Sequence, residues 1–145
     1  MTDPLTGVMR RLKAIEDYLW KKKTYPVYRP SSLLMFTATG ILSAGSGTIR
    51  FYNHSGATLS ISKVYIDVNT APTGTHGIIV DVNLNGTTIF TTQANRPVIA
   101  AGAYDGSSGT PDVTAWPDGD YLTADIDAVG TTIAGADLTV TVIVT

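Results

Sequence analysis

The sequence predicts an all-β fold: an antiparallel β-sandwich of about eight strands, jelly-roll-like, preceded by a short N-terminal α-helix and an extended arm. Three observations lead there. From residue 33 onward, apolar and β-branched runs recur at short intervals, and each gap between them carries turn residues. In the same stretch every acid is Asp and none is Glu, while Gly, Thr and Val abound, a composition that favours strands and turns over helices. The charge divides at the same place. Residues 1–29 hold seven Lys or Arg against three Asp or Glu, giving +4, and residues 30–145 hold three against nine, giving −6. We therefore read 1–29 as an anchoring or oligomerisation segment and 30–145 as a β-sandwich head, large enough at this length to bury one proper core.

Asp3 followed by Pro4 reads as an N-cap with proline in the first turn, and the helical pattern runs to about Trp20. Leu5, Val8, Leu12, Ile15 and Leu19 step by three and four residues, which is a heptad seam. Leu at a with β-branched residues at d leans toward more than two strands, so the segment is expected to form a homotrimer or to dock on another protein. Two heptads associate weakly alone, and Gly7 weakens the helix further. Lys21, Lys22 and Lys23 suit the solvated, dipole-favoured end of that helix. The prolines of "TYPVYRPSS" then forbid its continuation and make an arm in which Tyr25, Tyr28 and Arg29 are available as anchors.

The strand candidates follow in order: "LLMFTAT", "TIRFYN", "TLSISKVYIDV", "GIIVDVNL", "TTIFTT", "RPVIAA", "DYLTADIDAV" and "DLTVTVIVT". The last two alternate most clearly. Antiparallel sheets with one buried face must pair those faces, hence a sandwich. Asp81-Val-Asn-Leu-Asn-Gly86 fits the first half of a calcium-loop pattern, but its twelfth position is Thr92 where a bidentate carboxylate is needed. The flanks are strand-like, so Asn85-Gly86 is expected to be a type I′ hairpin turn, with Asp81 and Asn83 on the face opposite Val80, Val82 and Leu84. The longest loop is expected from Gly102 to Gly119 and is the natural place for binding.

Chemistry-bearing groups are sparse. There is no cysteine, so neither a disulfide framework nor a thiolate metal site is open to the chain. His54 and His76 both sit in turn-rich segments, and no zincin, P-loop, dinucleotide or nucleophile-elbow motif accompanies them. Asp125 and Asp127 share a strand face, which places a carboxylate pair but also describes ordinary outward-facing acids. The expectation is a non-enzyme with no cofactor and no metal. An acidic head without a basic stripe argues against nucleic acid. The absence of a long apolar run argues against membrane insertion, and the charge-interleaved N-terminus against a Sec-type signal. Tyr104, Trp116, Asp118 and Asp120, with Tyr121 beside them, form the candidate ligand-binding cluster, since sugar recognition uses an aromatic platform beside carboxylates. Trp116 covering a core edge is the competing reading.

The segments "DVNLNGTTIFTT", "ANRPVIAAG" and "WPDGDYLTADIDAVG" resemble a β-sandwich module of tailed-bacteriophage virion surface proteins, found in minor tail and fibre proteins and in related head spike or decoration proteins. The resemblance spans about residues 34–145 and leaves the helix out. It implies a structural or adhesive role, commonly in trimers, and brings no catalytic residues. The expectations are then a homotrimer bound to capsid or tail proteins, located in a virion assembled in the host cytoplasm, with a host-surface glycan as a further partner. Release by lysis fits the lack of a secretion signal. The alternative is a stand-alone, lectin-like glycan-binding module.

Overall fold

The computed structural model describes residues 6–11 and 32–145, and the chain divides into two units, Met1–Pro30 and Ser31–Thr145. In the first unit residues 6–11 are helical and exposed. Val8 of the seam, 53% exposed, lies on this turn; Leu5, Leu12, Ile15 and Leu19 lie outside the described residues.

The second unit is all-β. Its strands are β1 (Ser32–Ile41), β2 (Phe51–Tyr52), β3 (Leu59–Thr70), β4 (Ile78–Leu84), β5 (Thr87–Thr88), β6 (Val98–Ile99), β7 (Asp105–Ser107), β8 (Ala115–Trp116), β9 (Tyr121–Ala128) and β10 (Ala136–Val144). Each strand pairing is antiparallel. The hydrogen-bonded path runs β1-β10-β3-β7-β6-β4-β9-β2, with β5 on β4 and β8 on β3. One continuous sheet thus curls into two layers. The long strands β1, β10 and β3 make one, β4, β9 and β2 make the other, and the short β7 and β6 carry the ladder between them.

The core lies where the inward-facing sets meet. Leu34 and Phe36 of β1, Val64, Ile66 and Val68 of β3 and Leu138, Val140 and Val142 of β10 pack with Val80 and Val82 of β4 and Leu122 of β9 in one buried cluster. Period-two alternation produces this directly. The alternation breaks in β3, where Ile61 points inward and the next inward residue is Val64. A register shift against Ile143 and Val144 marks the spot, so a bulge absorbs one residue and redirects the start of the strand toward β8.

The expected hairpin is present. Asn85 and Gly86 have φ of 50° and 83°, the pair of positive values that a type I′ turn requires and that Asn and Gly tolerate best. The Asn85 side chain also accepts from the Tyr121 N–H, while its own N–H donates to the Tyr121 carbonyl, which ties the hairpin tip to β9. The Gly102–Gly119 stretch departs from expectation. It contains β7 and β8, which sequence reading leaves as loop because Asp105-Gly106-Ser107 and Ala115-Trp116 pair through the backbone without any apolar alternation.

The outward faces of the two layers differ chemically. On the β1-β10-β3 layer, Leu33 lies across from Ile143 and Met35 from Thr141, which in turn faces Tyr65. Leu33, Met35 and Tyr65 are 63%, 58% and 45% exposed. On the β4-β9-β2 layer the outward residues are polar, acidic and aromatic.

Candidate ligand-binding face

The outward face of β4, β9 and β2 is built by simple alternation. Asp81 and Asn83 on β4 and Thr123, Asp125 and Asp127 on β9 point away from the core, and Asp81 sits directly across from Asp125. Tyr52 of β2 is paired with Tyr121 of β9. Arg50 and His54 flank Tyr52 at two-residue spacing and bring their side chains to the same surface.

The aromatic end is closely organised. The Tyr52 and His54 rings stack with centroids 5.8 Å apart and an interplanar angle of 11°. Tyr52 meets Tyr121 at 5.4 Å in a tilted arrangement, and the Arg50 guanidinium lies over the Tyr121 ring, 4.6 Å from its centroid, a cation–π geometry. The Tyr52 side chain first, and Tyr121 second, hold Arg50 even more firmly protonated than usual. Arg50, Tyr52 and His54 are all exposed.

Buried Asn53 holds this end in place. Its Nδ2 donates to the carbonyls of Ala57 and Trp116, both at 2.8 Å, and its Oδ1 accepts from the Ser55 N–H at 3.0 Å and hydroxyl at 2.7 Å. The loop 53–57 is thereby fixed, and the Gly56 N–H donates to Asp118 Oδ1 at 2.8 Å.

In the middle of the face the carboxylates are engaged by neighbours. Asp125 accepts from the Gly47 N–H at 2.7 Å and from Asn83 Nδ2 at 2.8 Å. Gly47 is required there, because a Cβ would sit 2.0 Å from the Ala124 carbonyl oxygen. Asp81 accepts from the Thr88 hydroxyl at 2.7 Å. Its burial raises its pKa, the Asp127 charge raises it further, and the Thr88 hydrogen bond opposes both. Asp127 pairs with Arg96. Among the described residues no group of three or more His, Asp or Glu is arranged to hold a metal ion. Thr92, the twelfth position of the calcium-like pattern, donates its N–H and hydroxyl to Asp112 at 2.8 and 3.0 Å.

The candidate cluster drawn from the sequence does not form one platform. Trp116 is 3% exposed, and its indole N–H donates to the Asp120 carbonyl at 3.0 Å; it closes the core edge. Tyr104 is exposed, but its carbonyl accepts from Val68, toward the far end of β3 from Leu59, the partner of Trp116. At about 3.3 Å per residue those ends are roughly 30 Å apart. Asp118 and Asp120 do lie near the aromatic end, through Gly56 and through the Asn53 N–H that donates to the Asp120 carbonyl. Arg50, Tyr52 and His54 were missed. Their signal was the alternation in "IRFYNH", where every second residue is planar or cationic.

A separate cavity of about 320 Å³ opens between β1 and residues 43–49, lined by Phe36, Leu42, Ile49, Ala124, Ile126 and Leu138 among others. It lies behind the Gly47–Asp125 hydrogen bond, on the inner side of the layer. No family model, no curated protein and no solved structure matches this chain.

Proposed function

We propose that this chain is a non-enzymatic structural protein of a tailed-bacteriophage virion surface, a tail fibre, minor tail or head spike or decoration subunit. In this reading the N-terminal segment anchors it, as a homotrimer, to capsid or tail proteins, and the β-sandwich projects outward to meet the host. The observation that carries the reading is the two-faced head. One layer exposes Leu33 and Met35 on β1, the strand that follows the N-terminal segment in sequence, and Tyr65 on β3 beyond Thr141 of β10, and exposed apolar side chains on one sheet face suit contact with protein. The other layer exposes Arg50, Tyr52 and His54, side chains suited to recognising a polar ligand. The segment-by-segment resemblance to virion surface modules supplies the biological setting. The carboxylates that suggested hydrolysis, Asp125 and Asp127, are each held by a structural partner.

Mass spectrometry of purified particles from a lysate of the source tests this, with the particle-free supernatant as its control. The chain should co-purify with capsid or tail proteins at fixed stoichiometry. Recovery only in the supernatant, together with sugar binding by the free chain, would replace the proposal with the stand-alone lectin.

A further inference from the structure

We infer that the Arg50–Tyr52–His54–Tyr121 end of the β4-β9-β2 face binds a saccharide bearing a carboxylate, with Arg50 taking the carboxylate and the stacked rings taking the sugar's C–H face. This rests on the reading of the head as a host-attachment module and names the class of ligand.

The Arg50 guanidinium lies on the Tyr121 ring, and among the described residues the one ion pair is Arg96 with Asp127. Arg50 is therefore a cation on the surface with an aromatic neighbour and no carboxylate partner. The guanidinium lies over the Tyr121 ring with the Tyr52 side chain beside it, and the N–H groups not turned to Tyr52 can meet a carboxylate in a charge-assisted hydrogen bond. The nearby acids do not compete for it. Asp125 already receives two hydrogen bonds, Asp127 has Arg96, and Asp118 receives the Gly56 N–H.

Beside that cation lies a pair of stacked rings. Tyr52 and His54 are nearly parallel, stacked and exposed, and an outer ring face of that stack fits the C–H side of a pyranose while the phenol and imidazole edges meet its hydroxyls. The site is also preformed. Asn53 fixes the backbone between the two stacked rings through four hydrogen bonds, and Tyr52 is locked into the ladder with Tyr121, so little ordering entropy remains to be lost on binding. A protein ligand would want exposed aliphatic surface, which this molecule offers on its other layer.

The test uses the full chain on an array of oligosaccharides ending in glucuronic or N-acetylneuraminic acid, beside the same oligosaccharides with the carboxyl reduced to the alcohol, and dextran sulfate. Acidic termini should bind at least tenfold more tightly than their reduced counterparts. Arg50→Ala should remove that preference and Tyr52→Ala should remove binding, both at unchanged melting temperature because both side chains are exposed. Equal affinity for parent and reduced sugars, binding of dextran sulfate alone, or no binding at all would overturn the inference. Competition by the soluble chain for adsorption of particles to host cells is read separately. Competition without carboxyl preference leaves the attachment reading standing and removes this one; carboxyl preference without competition does the reverse.

Discussion

Asn53 shows how much of this head depends on single polar side chains. It is buried and uses both ends of its amide to close the 53–57 loop against Trp116. Asn53→Ala removes four hydrogen bonds that hold the loop to Trp116, each worth roughly 0.5–1.5 kcal/mol. Chemical denaturation should register that loss, and proteolysis should find the loop. Two aspartates carry opposite pH signatures. The Thr92 N–H, followed by the Thr92 and Thr91 hydroxyls, holds the Asp112 carboxyl below its usual range, so the stability it contributes is present above the ordinary carboxylate pKa and is lost as pH falls through the depressed value. Asp81 is the reverse. Burial raises its pKa, so the folded state binds this proton more tightly than the unfolded state, and stability falls as pH rises through the window between the two values. Asp81→Asn should raise the melting temperature at neutral pH, and the gain should vanish in acid. Asp112→Asn should lower it at neutral pH, and the deficit should also close in acid. Melts of both variants from pH 3 to 7 check the two signs.

At the scale of elements, the β4–β5 hairpin was legible because a type I′ turn needs two positive φ values and only a few residue pairs supply them. Replacing Asn85-Gly86 with Ala-Ala should destabilise the head and loosen Tyr121, whose backbone the Asn85 side chain holds. Because Asp81 is engaged by Thr88 and faces out from a strand, a calorimetric melt should give the same midpoint with and without chelator. The long strands were legible for an equally physical reason: alternation such as Leu138, Val140 and Val142 fixes both state and facing. β7 and β8 carry no such pattern. Their pairing is written in β3, whose bulge and long outer edge accept them. The ligand face was hidden likewise, because Tyr52 and Tyr121 become neighbours only through the β2–β9 ladder. Trp116 was placed correctly by its competing reading, as a residue at the core edge.

For the whole molecule, the proposed function divides the head into one face for assembly and one for ligand and gives the N-terminal segment the gathering of copies. The seam of Leu5, Val8, Leu12, Ile15 and Leu19 offers five apolar side chains per chain, each worth about 1.5–3 kcal/mol when fully buried. A two-heptad helix is marginal alone, so association also needs surface from the heads or from the particle. Leu12→Asp with Ile15→Asp should abolish trimerisation or particle attachment while the head still melts as before; sedimentation of both chains, with particle pull-down, reads this out. The division of labour between faces is tested most directly by hydroxyl-radical footprinting of the chain free in solution and assembled on purified particles. Oxidation of Met35 and Tyr65 should be suppressed on the particle while Tyr52 and His54 react at their free-chain rates. Protection of Tyr52 and His54 with Met35 still reactive, or a chain that never joins the particle, would contradict that division.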